Sequence, residues 1–166
     1  MAFDWRIVPY DRQPGREDFR CGVEELDHYL RANAAQQVRR GLTALMVCEE
    51  PSSRRIVGYY TLSSYKIVTD SFPADAKKGL PTFVPATLLG RLAVDTEYHG
   101  QRLGATLLTH AMKRAADAAE VVALYALVVD AKDDAAKRFY RHFGFQEFAD
   151  VPMRLFIPMR QLRAAR

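Results

Sequence analysis

Cysteine is nearly absent: Cys21 and Cys48 are the only two in 166 residues. Their spacing matches no zinc motif and no histidine cluster stands near either, so nothing suggests zinc, and a disulfide between them is not expected in a reducing compartment. They read as buried structural thiols. No apolar run approaches the roughly 18–20 residues that cross a bilayer, so no transmembrane helix is expected. The start, MAFDWRIVPYDRQ, carries acidic residues and lacks a long apolar centre, unlike a secretory signal, so a cytoplasmic protein is expected. Internal repeats and low-complexity segments are missing. Charge of one sign is not in large excess either: 24 Lys and Arg face 20 Asp and Glu, a net +4. That is milder than a dedicated nucleic-acid binder shows. The Lys–Ser/Thr ending of a phosphate-binding Walker loop is lacking, as is a full dinucleotide fingerprint.

What remains is a globular composition, 49% apolar, of a length that suits one domain spanning 1–166. Trp5 to Tyr10 predicts a first strand. Val23, Leu26, Leu30 and Ala34 predict one face of a helix that begins near Gly22, with Asp18 capping or preceding it, and ends at Gly41. Thr43–Cys48 and Ile56–Ser63 read as strands around a turn, the second extending towards Val68. Residues 72–85, with Pro73, Gly79, Pro81 and Pro85, read as a long loop. Ala86 to Val94 predicts a buried strand, and Leu103, Leu107, Leu108, Ala111 and Ala115 predict a helix with one face on the core. Val121–Val129 reads as a strand parallel to the one before that helix. A helix over Asp133–His142, closing strands at Phe145–Phe148 and Met153–Met159, and a frayed arginine tail (Arg160, Arg163, Arg166) complete the order. The pattern predicts a mixed α/β (α+β) sheet rather than a doubly wound one.

The turn His99-Gly100-Gln101-Arg102-Leu103-Gly104-Ala105 joins a buried strand to a helix. Such a turn offers free N–H groups and the positive end of a helix dipole to a pyrophosphate. Alone it is weak evidence. Together with Ala136-x-x-Phe139-Tyr140-x-x-Phe143-Gly144-Phe145 it resembles the GNAT superfamily of acyl-CoA-dependent N-acyltransferases. His99 to Gly104 holds the register of that family's Gln/Arg-x-x-Gly-x-Gly/Ala loop, with Arg102 at the middle glycine. The resemblance implies a mostly antiparallel sheet with one parallel strand pair splayed around acyl-CoA, flanked by helices. It implies that acetyl-CoA is held by Leu92, Ala93 and Val94, by His99, Gly100, Gln101, Arg102, Leu103, Gly104 and Ala105, and by Asp133 and Phe139. It makes Tyr140 the general acid for the departing thiolate. Asp133 also reads as a helix N-cap, and Tyr140 as an aromatic packed on the cofactor.

Phe19 to Leu30, Val57 to Leu62, and Pro85 with Leu88 to Asp95 resemble the GNAT toxins of bacterial toxin–antitoxin pairs. That subgroup acetylates the α-amino group of aminoacyl-tRNA. The resemblance implies aminoacyl-tRNA and a cognate antitoxin as partners, a homodimer, and Arg20, Arg31, Arg39, Arg40 and Arg91 as candidate acceptor contacts. A lysine amine, pKa about 10.4, benefits from a base, whereas an α-amine of about 7.7–8.0 is appreciably neutral unaided. The strand Ala86–Val94 has no carboxylate, which favours the α-amine. A small-molecule amine or a protein N-terminus as acceptor, and a non-catalytic acyl-CoA-binding module, are the alternatives.

Overall fold

The computed structural model describes residues 5–164. The chain opens with β1 (Arg6–Pro9), then α1 (Glu24–His28), one wide helical turn (Tyr29–Asn33) and α2 (Ala34–Arg39). β2 (Ala44–Glu49), β3 (Ile56–Val68), a short α3 (Ala74–Lys77) and β4 (Phe83–Val94) follow. The remainder is α4 (Leu103–Val121), β5 (Ala126–Asp130), α5 (Asp134–His142), β6 (Gln146–Glu147), β7 (Arg154–Pro158) and α6 (Met159–Ala164). Seven strands share one sheet in the order β1-β2-β3-β4-β5-β7-β6. β4 and β5 are the parallel pair, registered Ala86↔Ala126 to Leu89↔Val129, whereas β1–β2, β2–β3, β5–β7 and β6–β7 are antiparallel. This is the mixed sheet that the sequence pattern predicts.

The chain divides into two compact units. One comprises the residues up to Ser63 with Arg91–Ala111, the other Ser64–Gly90 with the residues from Met112 onwards.

In the first unit, Phe19, Tyr29, Leu30, Leu45, Val47, Ile56, Tyr59 and Ala93 pack as one cluster. Leu26, Leu30 and Ala34 recur every four residues as expected. The wide turn, where the Ala34 N–H reaches back five residues to the Tyr29 carbonyl, rotates the face so that Tyr29 is buried beside Leu30. Asp18 does not cap the helix: its N–H donates to Gly15 O in the preceding turn. The helix entry is held instead by buried Asp27, whose carboxylate accepts from the Cys21 N–H at 2.9 Å. Gly58 on β3 lets the start of α4 sit close, since a Cβ there would lie 3.0 Å from Leu107 Cδ1 and 3.2 Å from the Ala93 carbonyl. Leu103 and Leu107 fill that contact.

In the second unit, Phe72 stacks with Phe148 at 5.4 Å and meets Phe156 edge-on at 4.8 Å between ring centroids. Ala86, Ala126 and Val128 belong to the same cluster. The chain departs from its sequence pattern at three places. β4 begins at Phe83, not Ala86, and runs through Pro85, whose carbonyl accepts from the Tyr125 N–H at 2.7 Å. Val121 and Val122 end the helix rather than open the next strand, and are 87% and 65% exposed. Their apolarity has no burial behind it, and strand pairing starts only at Ala126. The arginine tail is helical to Ala164: Leu162 is buried and Arg163 donates to Ala119 O at 2.7 Å. Arg166 lies outside the described residues.

Cys21 and Cys48 are both free and buried, as expected. Among the described residues no helix is long and apolar enough to cross a membrane, and no cluster of His, Cys, Asp or Glu is arranged to hold a metal ion.

Candidate active site

β4 outlasts its pairing with β5, which covers Ala86–Leu89, and continues to Val94. At Asp95 the chain turns. The Asp95 N–H donates to Val57 O at 2.9 Å, its Oδ2 accepts from the Arg20 N–H at 3.1 Å, and its Oδ1 accepts from the Glu97 N–H at 3.0 Å. Both carboxylate oxygens of this buried residue are therefore spent on backbone. Glu97 is paired through Oε2 with Arg55 at 3.0 Å. The two carboxylates nearest the end of β4 are thus engaged in fixing the turn.

His99 is anchored too. Its Nε2 lies 2.7 Å from the Val94 carbonyl. A carbonyl only accepts, so Nε2 carries the proton and cannot take another from a substrate. The ring clasps the end of β4 to the loop, which is a different use of the residue from a direct phosphate contact.

The loop conformation explains two sequence features. Gly100 has φ +82° and Arg102 has φ +61°. A non-glycine in the left-handed region costs on the order of 1 kcal/mol. Arg102 thus keeps the glycine-like backbone at the middle position of the motif while carrying an exposed guanidinium. Gly104 is the second. It sits in the first turn of α4, and a Cβ placed there would meet only Val94 Cγ2, at 4.0 Å. Packing within the chain does not demand a glycine at this place, although glycine in a helix costs about 0.5–1 kcal/mol relative to alanine. The bare backbone suits close approach by a ligand, and Leu103, Gly104 and Ala105 supply N–H groups without intrahelical partners. These residues fit a pyrophosphate.

In the second unit, Asp133 caps α5 as its N-cap reading anticipates: Oδ1 accepts from the Ala136 N–H at 2.8 Å. That contact with backbone N–H, together with Lys132, holds its carboxyl below the usual range. Phe139 and Tyr140 follow on the same helix. Tyr140 is buried, packing edge-on against Phe145 at 5.7 Å and tilted against Phe139 at 5.4 Å. Its hydroxyl makes no hydrogen bond among the described residues. Burial, with the Asp130 carboxylate adding to it, pushes its pKa up to about 12. The proton on Oη is firmly held and uncommitted.

The five candidate acceptor arginines are engaged in different ways. Arg20 turns its guanidinium onto the carbonyls of Glu17 and Phe19 at 3.0 and 2.8 Å, and Arg31 pairs with Glu24 at 3.1 Å. Arg91, on β4 beside Leu92, places its guanidinium carbon over Tyr29, 3.6 Å from the ring centroid. Arg39 and Arg40 close α2, and none of Arg39, Arg40 and Arg91 is ion-paired among the described residues. Tyr29 as the platform for Arg91 escaped sequence reasoning, because its burial depends on the wide turn.

Residues 42–147 match the family model described as an acetyltransferase (GNAT) domain. The chain belongs to the GNAT acetyltransferases. It is 37% identical to a tRNA-acetylating toxin of Mycobacterium tuberculosis, over 88% of this chain and 87% of that protein. Among solved structures it is similar to a tyrosine-to-phenylalanine variant of KacT (27% identity, 98% and 99% of the two chains, TM-score 0.92). It is equally similar in extent to AtaT complexed with acetyl-methionyl-tRNAfMet (28% identity, 98% and 99%, TM-score 0.90).

Proposed function

We propose that this acetyltransferase moves the acetyl group of acetyl-CoA to the α-amino group of an aminoacyl-tRNA, and so acts as a translation-blocking toxin. The observation that carries the choice of amine is the state of the carboxylates. β4 has none, Asp95 spends both oxygens on backbone N–H groups, and Glu97 is paired with Arg55. A substrate whose amine is already partly neutral needs no base from the enzyme, and the α-amine is of that kind. The likeness to a tRNA-acetylating toxin and to AtaT bound to acetyl-methionyl-tRNA supports the same acceptor.

Acetyl-CoA supplies the acyl group as an activated thioester. Leu103, Gly104 and Ala105 present backbone N–H groups to its pyrophosphate, with the dipole of α4 behind them. Gly100, Gln101 and Arg102 shape the approach, and His99 fixes the loop against Val94. The backbone of Leu92, Ala93 and Val94 orients the pantetheine amides and polarises the reacting carbonyl through an N–H. Tyr140 holds a proton on Oη for the departing sulfur, with Phe139 excluding water beside it and Asp133 holding the start of α5. A phenol raised to about 12 is a weak acid for a thiolate near 8.5 in water. A thiolate formed in the same dry surroundings rises as well, which narrows the gap.

On this reading the protein works in the cytoplasm, beside the tRNA pool, as a homodimer restrained by a cognate antitoxin; solved relatives include a tyrosine-to-phenylalanine variant of AtaT bound to the C-terminus of the antitoxin AtaR and acetyl-CoA. Arg91, whose guanidinium lies over the Tyr29 ring, is a candidate acceptor contact together with Arg20, Arg31, Arg39 and Arg40. The test is mass spectrometry of tRNA from a cell-free translation mixture given acetyl-CoA and the protein. N-acetylated aminoacyl-tRNA together with arrested synthesis is the expected result. Free aminoacyl-tRNA with acetylated protein N-termini overturns it.

A further inference from the structure

A second basic feature in the first unit belongs neither to the coenzyme loop nor to Arg91. A cavity of about 460 Å³ opens between the turn after β1 and the last turns of α2, lined by Tyr10, Arg12, Arg16, Val38 and Arg39, with Asp11 on its wall. Three arginines and one acidic residue therefore line it. Among the described residues Arg12 and Arg39 take part in no ion pair, and Arg16 has only an exposed contact with Glu17 at 3.4 Å. Such an exposed pair is worth little.

The turn that presents Arg12 is built rather than loose. Gln13, 3% exposed, accepts from the Asp11 N–H through Oε1 at 2.7 Å and donates from Nε2 to Pro9 O at 3.3 Å. Tyr10 N–H donates to Leu45 O, and Pro14 O accepts from the Ile56 N–H, so both ends of the turn are tied to strands. Between these anchors Arg12 sits at φ +58°, a left-handed conformation that asparagine or glycine would adopt at less cost. An arginine held in this conformation, in one cavity lining with Arg39, which has no ion pair among the described residues, and Arg16, whose pair with Glu17 is exposed, is an arrangement in want of an anion.

We infer that this basin binds the sugar–phosphate backbone of an RNA acceptor. Arg12 and Arg39 would contact phosphodiesters through their planar forks. The Asp11 carboxylate, unbonded among the described residues, would accept from a ribose 2′-hydroxyl, the group by which a protein tells RNA from DNA. This inference rests on the proposed aminoacyl-tRNA acceptor and adds the surface on which that RNA lies.

The test is fluorescence anisotropy of labelled, deacylated tRNA with the full-length protein across a salt series, for wild type, Arg12→Gly, and Arg12→Gly with Arg39→Gln. Glycine at position 12 removes the charge and relaxes the backbone, so the fold is not put at risk, and acetyl-CoA affinity by calorimetry serves as the check on folding. The double variant is expected to bind tRNA at least tenfold more weakly, with acetyl-CoA affinity unchanged. Its log–log salt slope should be shallower by about 1.5, as two lost phosphate contacts require. Wild-type-like tRNA affinity in the double variant, with acetylation of charged tRNA intact, overturns the basin and leaves the function standing. So does weakened binding of a polyglutamate peptide with tRNA binding unchanged. Wild type that fails to bind tRNA refutes the acceptor itself and the basin with it.

Discussion

The His99 ring is tied to the last residue of β4, Nε2 to the Val94 carbonyl at 2.7 Å. A strand end that must align a thioester and a loop that must seat its pyrophosphate are thus joined by one side chain. His99→Ala is expected to raise KM for acetyl-CoA by about tenfold, some 1.4 kcal/mol, by freeing the loop. His99→Gln, which keeps a donor, should restore most of the loss. Neither variant should shift the pH dependence of kcat if His99 acts only as the clasp between β4 and the loop. Steady-state kinetics across pH checks both.

Gly104 yields a prediction with two opposite signs. A methyl group there clears the chain, with Val94 Cγ2 at 4.0 Å, and removes the entropic cost of glycine in a helix. Gly104→Ala should stabilise the protein by about 0.5–1 kcal/mol. Acetyl-CoA should nevertheless bind at least several-fold more weakly, since the methyl occupies the path of the pyrophosphate. Thermal melts and calorimetry on the same sample decide it, and a variant both more stable and unimpaired in binding would contradict the assignment of the loop.

Arg102 holds its left-handed backbone at a cost on the order of 1 kcal/mol. Arg102→Gly is expected to leave the melting temperature unchanged or raise it, and to alter acetyl-CoA affinity by less than about threefold, under 1 kcal/mol. The backbone N–H groups of the loop then carry the binding. A much larger loss would assign the phosphate contact to the guanidinium.

Burial pushes the Cys21 thiol up to about 11 and the Cys48 thiol up to about 12, and Tyr140 also to about 12. In the unfolded chain these groups ionise near 8.5 and 10. The folded state keeps its protons over that interval while the unfolded state loses them, so stability is whole below about pH 8.5 and falls as pH rises towards 12. Chemical denaturation at pH 8, 9.5 and 11 should show this decline. A thiol reagent at pH 8 should label neither cysteine until the protein unfolds. Within the same range Tyr140 stays protonated, so Tyr140→Phe should abolish turnover while acetyl-CoA affinity is kept.

Much of this arrangement was legible in the residues. Leu103, Leu107, Leu108, Ala111 and Ala115 are all 0–1% exposed, because a 3.6-residue period on a long helix has only one face to bury. The Asp133 cap was legible as well, since an N-cap acts over three residues. Effects that act across longer separations were not. The use of Asp95 depends on Arg20, 75 positions away, and the apolar pair Val121–Val122 looks like a strand until its exposure is known. Positive φ at Arg12 and Arg102 carries no compositional mark, because arginine is not a residue that announces such a conformation. Of the basin at Arg12, Arg16 and Arg39 only Arg39 was legible, as a candidate acceptor contact, because its two halves are a turn and a helix end and only the fold makes them neighbours.

The substrate's own amine supplies what the engaged carboxylates of Asp95 and Glu97 do not. The most direct measurement is the pH dependence of kcat/KM for radiolabelled acetyl transfer to two charged tRNAs whose α-amines differ in pKa. The account predicts label on the α-nitrogen and a single inflection that moves with the substrate's amine. An inflection that stays fixed between the two substrates, and so belongs to an enzyme base, or label elsewhere than the α-nitrogen, would contradict it.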